Sequence, residues 1–484
     1  MLAGVDALIF DLDGVLWDSA AIHGESFRRT LEPFGVAVDY ARIAGVRTDE
    51  AIARLLGEAG VAVDDELLRT LVARKRELAR AHLRAAPPLA PRVAETLAAL
   101  AARHRLALAS AASRDAVEIF LDASHSRALF ASVISGEDVR AAKPAPEIYL
   151  RSLSALDVPP GAVRVVEDSA AGIGAARAAG LAVIGCAGLL LPEELVALGA
   201  ETVIDGVAEL ASSEPRRVVA IAELPDRPVR KERWTAIIPA AGRGSRLGLD
   251  RPKLLCPVLG RTALDWLVDA IEPVASRFVF VVAPAARAEV EPIVRARLGE
   301  AARVVEQPSP IGMADAVIRA EPEVRTPGAL VVWGDQVLVR ERTLGACVGA
   351  HERRLGALLT LPTVMRDDPY IRFERDTQGR LLRVRQQREG DPMGAGPGES
   401  DCGVFAFDAA ALFSVLRELG DPAARGSRTG ELNLLPLLPR FERGAGSVLA
   451  VRLDDVTESF GINTADDLAL ASAELRRRTS AAPP

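Results

Sequence analysis

Ala7-Leu8-Ile9-Phe10-Asp11-Leu12-Asp13-Gly14 is a short apolar run that leads straight into two carboxylates. Four apolar residues are too few for a helix and read as a buried strand. Alternation along an extended chain puts Asp11 and Asp13 on the same side. In an open α/β sheet, ligands bind beyond the C-terminal ends of the strands. A carboxylate pair there can hold a divalent cation and divide nucleophilic attack from proton transfer. A plain Asp-Gly turn would look the same in isolation, so the rest of the chain has to decide.

The pattern recurs downstream. Leu106 to Ala109 ends in the hydroxyl of Ser110, and Val163 to Val166 ends in Glu167-Asp168-Ser169. Lys143-Pro144 follows the strand-like Ser132 to Ser135. Further apolar runs at Val183 to Gly185, Ala236 to Pro239, Phe278 to Val282 and Ala329 to Trp333 alternate with Ala/Leu/Arg-rich helical stretches. Short strands between longer helices predict an α/β protein with parallel sheets. From Asp18 to about Arg84 helical signals replace strands, which predicts a helical insert, and Ala86 to Pro91 returns the chain to the sheet. Ser212 to Arg233 carries three prolines and dense charge, the signature of a linker. The expected organisation is two Rossmann-like parallel-sheet domains. The first covers residues 1–215, with a helical cap over about 18–86; residues 216–233 link it to the second, 234–484.

Composition narrows the function. A chain of 484 residues exceeds a single ordinary domain. With 49% apolar and 26% charged residues, it is globular rather than disordered. A net charge of −7 gives no electrostatic reason to expect nucleic acid or an anionic membrane as partner. Cys186, Cys256, Cys347 and Cys402 form no CxxC pair, and the histidines show no zinc-ligand spacing. The N-terminus lacks the features of a signal peptide, and the apolar run from Leu181 to Leu191 is too short to span a bilayer. These features together read as cytoplasmic.

Aspartate pair, serine, lysine and acidic pair, in this order, resemble the haloacid dehalogenase-like phosphohydrolases over roughly residues 5–210. The resemblance implies that Asp11 is the nucleophile and forms an aspartyl-phosphate, with Asp13 as general acid and base. It implies that Ser110 and Lys143 bind the transferring phosphoryl group. Asp168, with Asp11 and the backbone carbonyl of Asp13, would hold Mg²⁺, with Glu167 a weaker ligand candidate. The helical insert resembles the small cap of the β-phosphoglucomutase-like subfamily. There His23 matches a histidine of the mutase-like members, and Arg47, within Gly45 to Thr48, is expected to face substrate. Lys75 lies near a further cap position, within a run of three basic residues. Phosphatases and phosphomutases share all these motifs; the phosphatase reading is favoured.

The second half opens on Ala236 to Pro239 followed by a glycine-rich loop containing Gly242 and Gly244. Glycines let backbone N–H groups approach phosphates closely, while Arg246 and Lys253 supply positive charge. Leu247 stands where a dinucleotide fingerprint needs glycine, and no GK[ST] follows as in a P-loop. Ala240 to Leu267 instead resembles the signature of sugar-phosphate nucleotidylyltransferases. On that resemblance Gln307 and Gly312 belong to base recognition, and Gly403 and Glu431 to the sugar side. Asp335 and Asn463 would hold Mg²⁺, with Asp455 and Glu458 as acidic alternatives to Asn463. The implied reaction joins an NTP to a sugar or polyol phosphate and releases pyrophosphate. The whole chain then reads as a bifunctional enzyme of nucleotide-activated sugar or polyol biosynthesis, its first half acting on a phosphate monoester. Alternatives are a phosphomutase in the first half, or one half that only binds and regulates; homo-oligomerisation is left open.

Overall fold

The computed structural model describes residues 2, 4–211, 217–224, 229–242, 247, 251–418, 425–444 and 447–481. It divides into two compact units, Met1–Pro215 with Arg353–Leu355, and Arg216–Glu352 with Gly356–Pro484. Among the described residues, no helix is long and apolar enough to cross a membrane.

The first unit begins with β1 (Ala7–Phe10), every residue of which is buried. Three helices follow, α1 (Ala20–Leu31), α2 (Thr48–Glu58) and α3 (Asp65–Ala85). Phe27, Leu31, Ile52, Leu55, Leu56 and Leu71 give this insert an apolar core of its own. The remainder alternates regularly: α4 (Val93–Ala101), β2 (Arg105–Ala109), α5 (Arg114–Ala123), β3 (Phe130–Ile134), α6 (Glu147–Leu156), β4 (Val163–Glu167), α7 (Ala170–Ala178), β5 (Ala182–Cys186), α8 (Pro192–Leu198) and β6 (Thr202–Ile204). The strands pair in the order β3-β2-β1-β4-β5-β6, all parallel. One apolar cluster covers each face of the sheet, around Phe10 and Phe120 on one side and Ile9 and Tyr149 on the other. The chain leaves β1 for β2 and β3, then returns to β4 on the opposite side of β1. That reversal opens a crevice where β1 and β4 end. Asp11 and Asp168 sit in it.

The second unit contains β7 (Val218–Ala220), β8 (Trp234–Pro239), the short pair β9 (Pro257–Val258) and β10 (Arg261–Thr262), α9 (Ala263–Ile271), β11 (Arg277–Val282), α10 (Pro284–Leu298), β12 (Ala302–Glu306), α11 (Met313–Arg319), β13 (Gly328–Val332) and α12 (Glu341–Arg353). It continues with β14 (Leu359–Arg366), β15 (Ile371–Arg375), β16 (Leu381–Gln386), β17 (Gly398–Asp401), β18 (Val404–Asp408), α13 (Ala409–Arg417), β19 (Val448–Arg452) and α14 (Ala465–Ala481). Strand order is β12-β11-β8-β13-β18-β14-β19-β7, with β17 also on β14.

Two expectations change here. The second sheet is mixed, because β18 lies antiparallel between β13 and β14. The physical reason is that β17 and β18 run back along β14 as two segments broken at Cys402-Gly403, where Gly403 has φ 68°. In addition, part of the stretch read as linker is built into the second sheet. Val218–Ala220 pairs in register with Ala450–Arg452, so its apolar residues complete a sheet edge.

Candidate active sites

In the first unit the crevice is built around one buried ammonium. Lys143 Nζ lies 2.5 Å from Asp11 Oδ1 and 2.8 Å from Glu167 Oε1, and donates to the Ala109 carbonyl at 3.2 Å. Asp11, Lys143, Glu167 and Asp168 are all buried. One cation cannot balance two buried carboxylates equally. Burial, opposed by Lys143 and reinforced by Glu167, pushes Asp11 up to about 8. For Glu167, burial is outweighed by Lys143 and by its hydrogen bonds, so the carboxyl lies below its ordinary value. The carboxylate oxygens of Asp11, Glu167 and Asp168 all come within 4.8 Å of one another. Three carboxyl groups so close together, two of them against Lys143, are an oxygen donor set that fits a divalent cation.

Glu167 fits that role least, because its oxygens are already engaged. Oε1 accepts from Lys143 and from the Tyr149 hydroxyl at 2.9 Å. Oε2 accepts from the backbone N–H groups of Asp168 and Ser169, both at 2.9 Å, and from Ser169 Oγ at 3.0 Å. It thus fixes Lys143 and aims the Asp168 turn, while Ser169 caps α7 through Gly172 N–H. Gly14 closes the other side. Its φ is +79°, and a Cβ there would fall 1.8 Å from Asp168 Oδ2, so a side chain would displace that carboxylate. Ser110 is fully buried at the end of β2, its N–H bonded to Ile134 O and its hydroxyl accepting from Ala112 N–H at 3.1 Å.

Asp13 faces the helical insert. Its Oδ1 accepts from Trp17 Nε1 at 2.8 Å and from the Ser19 hydroxyl, and it meets His23 Nε2 at 2.9 Å. Burial alone would raise Asp13, but His23, Ser19 and Trp17 together hold it well below the usual carboxylate range. On the far side of the ring, Lys75 Nζ lies 3.0 Å from His23 Nδ1. Burial lowers His23 and the neighbouring Lys75 charge lowers it further, while burial brings Lys75 down to about 8. An ammonium donating to Nδ1 leaves Nε2–H to donate to Asp13, which fixes the tautomer. Asp13, His23 and Lys75 line one cavity of about 320 Å³, together with Tyr40, Thr48 and Ser113.

Arg47 does not join this cavity, although Gly45, Val46 and Thr48 do. Its guanidinium is bidentate to Asp49, at 2.7 and 2.5 Å, in the first turn of α2. An acid two residues away thus holds the guanidinium that the sequence places toward substrate. Sequence reading gave no role to Trp17, Ser19, Tyr40 or Tyr149. Trp17 and Ser19 lie within six residues of Asp13, but nothing in their spacing distinguishes them from core residues.

In the second unit, β8 and β13 flank the corresponding reversal. Lys253 Nζ lies 2.7 Å from Asp335 Oδ2 and 2.9 Å from Asn463 Oδ1. Backbone bonds hold the set: Ile462 N–H to Asp335 O at 3.0 Å, and Asn463 N–H to Asp467 Oδ2 at 2.9 Å. A carboxylate and an amide oxygen converging on one point are oxygen donors suited to a hard cation. Asp455 and Glu458, weighed as alternatives to Asn463, serve another purpose. Asp455 pairs with Arg340 and Arg478 and caps Thr457, and Glu458 accepts from Arg340 N–H at 2.9 Å.

Gly242 and Gln307 line a cavity of about 430 Å³ with Arg251, Pro252, Pro308 and Pro310. Gly244 and Arg246 lie outside the described residues. Gly312 has φ 130°, and a Cβ there would lie 2.2–2.7 Å from the Leu432 backbone. Gly312→Ala is therefore expected to lower stability by about 1–3 kcal/mol, measurable as a drop in urea midpoint with unchanged slope. Gly403 N–H donates to Asp401 Oδ2 at 2.9 Å, and its carbonyl accepts from Trp333 N–H. Glu431 is paired with Arg388 at 2.5 Å. Its loop is anchored by the buried Glu389, which accepts from the Thr429 hydroxyl at 2.7 Å, from the N–H groups of Arg428 and Thr429, and from Asn433. Glu389 had no signal in the sequence.

Residues 8–186 match the family model described as haloacid dehalogenase-like hydrolase, and residues 236–395 match the MobA-like NTP transferase domain. Among curated proteins, "Bifunctional protein GlmU" of Heliobacterium modesticaldum is 33% identical over 249 residues, covering 50% of this chain and 52% of that protein. The chain thus spans about half the length of the curated relatives it matches. Among solved structures, CbbY from Rhodobacter sphaeroides in complex with phosphate is 32% identical, covering 43% of this chain and 96% of that one, with a TM-score of 0.38. β-Phosphoglucomutase from Clostridium difficile is 25% identical, covering 43% and 93%, with a TM-score of 0.39.

Proposed function

We propose that this enzyme, a haloacid dehalogenase-like hydrolase domain followed by a MobA-like NTP transferase domain, hydrolyses a phosphate monoester in its first half and activates a sugar or polyol phosphate in its second. One observation carries the reading. Each unit holds a lysine ammonium against a carboxylate where its central strands end: Lys143 on Asp11, and Lys253 on Asp335.

In the first half, Asp11 attacks phosphorus; Asp13, ionised in the free site, takes up a proton when the monoester binds and passes it to the ester oxygen as that oxygen leaves. Water then attacks the aspartyl-phosphate and gives its proton back to Asp13. Lys143 and Ser110 hold the phosphoryl oxygens, and preorganised charge of this kind stabilises what develops in the transition state. Asp11, Asp168 and the carbonyl of Asp13 would hold Mg²⁺, as would Asp335 and Asn463 in the second half. Bound there, the ion neutralises phosphate charge. Lys75 and His23 sit behind Asp13 and set its proton affinity. Lys75→Met is expected to lower kcat for phosphate-ester hydrolysis about 10–100-fold, with little change in KM, as read from steady-state phosphate release.

In the second half, an oxygen of the acceptor phosphate attacks the α-phosphorus of an NTP and pyrophosphate leaves. Lys253 aligns and neutralises the reacting phosphates; little covalent work falls on the protein. Consecutive action is the economical arrangement: one phosphate is removed and the remaining one is activated.

The test uses the full chain with Mg²⁺. Phosphate release is measured across phosphate monoesters, and pyrophosphate release across NTPs crossed with sugar and polyol phosphates. Turnover in both assays is expected. A flat response in either one would remove the activity assigned to that half.

A further inference from the structure

One aromatic side chain of the helical insert, Tyr40, reaches the phosphoryl crevice of the first unit. Tyr40 opens the single turn Tyr40–Arg42, closed by the Ile43 N–H on the Tyr40 carbonyl at 3.1 Å. Its ring lies against α1, with its centroid 6.1 Å from that of His23 and 6.2 Å from that of Phe27. His23 is the residue that meets Asp13 at 2.9 Å. The helix face that seats the Tyr40 ring is therefore the face that holds Asp13.

Two cavities meet at this ring. One is the cavity of about 320 Å³ that His23 and Lys75 line. The other is smaller, and Asp11, Asp13 and Asp168 line it from the core, Ser19 and Gly45 from the insert. Asp13, Tyr40, Gly45 and Ala111 line both. The insert is pressed close to the core here: Gly45 has φ +76°, and a Cβ on it would fall 2.4 Å from Ser169 Oγ. With Asp11 as nucleophile, the phosphoryl group belongs to the smaller cavity and the leaving group to the larger one. The scissile P–O bond then crosses the boundary that Tyr40 marks.

The side-chain donors at that boundary can be counted. The polar side chains of the smaller cavity are three carboxyl groups, the Ser19 hydroxyl and the Tyr40 phenol. The Ser19 hydroxyl is given to Asp13 Oδ1. The Tyr40 hydroxyl makes no hydrogen bond among the described residues, and a phenol is an O–H donor at neutral pH. Burial, and then the charges of Asp13, Asp168 and Asp11, hold it well above its ordinary value. Lys143 and Ser110 serve the phosphoryl oxygens from the core; Tyr40 is the uncommitted side-chain donor that the insert brings.

Resting on the phosphohydrolase reading above, we propose that Tyr40 is a further phosphoryl-binding residue: its hydroxyl donates to a non-bridging oxygen of the transferring phosphoryl group from the insert side. A hydrogen bond to an ionised oxygen is stronger than one between neutral groups. The same phosphoryl group is present in the ester, in the aspartyl-phosphate and in released phosphate. Loss of the hydroxyl is therefore felt in all three, and it does not depend on the leaving group.

The experiment uses Tyr40→Phe in the full chain with Mg²⁺, which keeps the ring against His23 and Phe27 and removes only the O–H. Phosphate release is measured from p-nitrophenyl phosphate and from an alkyl phosphate, and inorganic phosphate serves as competitive inhibitor of both. We expect kcat/KM to fall about 10–100-fold, by the same factor on the two esters, and the inhibition constant of phosphate to rise at least about fivefold. Melting temperature and NTP-dependent pyrophosphate release are expected to match wild type, so a loss of folded protein is not mistaken for the effect. A merely structural role would leave the phosphate inhibition constant unchanged. A loss confined to the alkyl ester would place the O–H on the leaving oxygen instead. Either result, or rates within about twofold of wild type, would overturn this inference and leave the phosphohydrolase reading standing. No phosphate release by the wild-type chain from any monoester would overturn both.

Discussion

Asp11→Asn is expected to abolish phosphate-ester hydrolysis, by on the order of 10⁴-fold or more, while leaving NTP-dependent pyrophosphate release unchanged. The amide is nearly isosteric but cannot form the acyl-phosphate bond, and removing a nucleophile costs more than removing an auxiliary group. A stability measurement separates chemistry from folding. Burial raises Asp11 to about 8 against an ordinary 3.8. Between those two values the unfolded chain releases this proton more readily than the folded one, so the carboxyl weakens the fold as pH rises through that window. Asparagine removes the effect and leaves Lys143 with its second partner, Glu167, at 2.8 Å. In metal-free buffer at pH 7, Asp11→Asn should therefore melt at or above the wild-type temperature. A variant that lost activity and also melted well below wild type would point to structural damage. One that kept hydrolysing would remove Asp11 as nucleophile.

How much of this was legible in the sequence follows from the kind of signal each residue carries. Asp11, Ser110 and Asp168 could be picked out as candidates because each stands at or just past the end of a short apolar run, and a strand end is a fixed place in an α/β sheet, whereas Lys143 lies across a loop, nine residues beyond the end of β3 at Ile134. Lys75 could not be placed from its neighbours. In Arg74-Lys75-Arg76 three cations follow one another, and helical phase turns about 100° per residue. Only the fold reveals that Lys75 points in, 3.0 Å from His23, while Arg76 pairs with Glu137. Arg47 carries a different kind of signal: its partner, Asp49 in the first turn of α2, can be read in the sequence, but such a pair is common at any helix start. The antiparallel β18 was hidden because a buried apolar run reads the same in either direction. Glu389 is one acid in a polar stretch, and its importance lies in the loop at Arg428 and Thr429 that it grips from nearly forty residues away.

Lys253→Met should produce the complementary loss. The substitution keeps the length and apolar stem of the side chain and removes only the ammonium. That ammonium bridges Asp335 Oδ2 and Asn463 Oδ1 at 2.7 and 2.9 Å, in a site where both charged partners are less than one-fifth exposed. A group so placed can neutralise a phosphate as charge develops on it. Deleting one such preorganised donor typically costs about 10²–10³ in rate, and a full unit of charge against a polyphosphate belongs at the upper end. We expect kcat/KM for pyrophosphate release to fall on the order of 10³-fold, with phosphate-ester hydrolysis unchanged. Lys253→Arg should fail to restore it, because the planar guanidinium cannot reproduce a point charge between two converging oxygens. The methionine variant also leaves the Asp335 carboxylate without its ion-pair partner, so a modest drop in melting temperature is expected in metal-free buffer. That drop should shrink when Mg²⁺ is added, if Asp335 and Asn463 hold the ion. Full transferase activity in Lys253→Met would place the reacting phosphates elsewhere. A loss of both activities together would mean that the two halves do not work as separate catalysts.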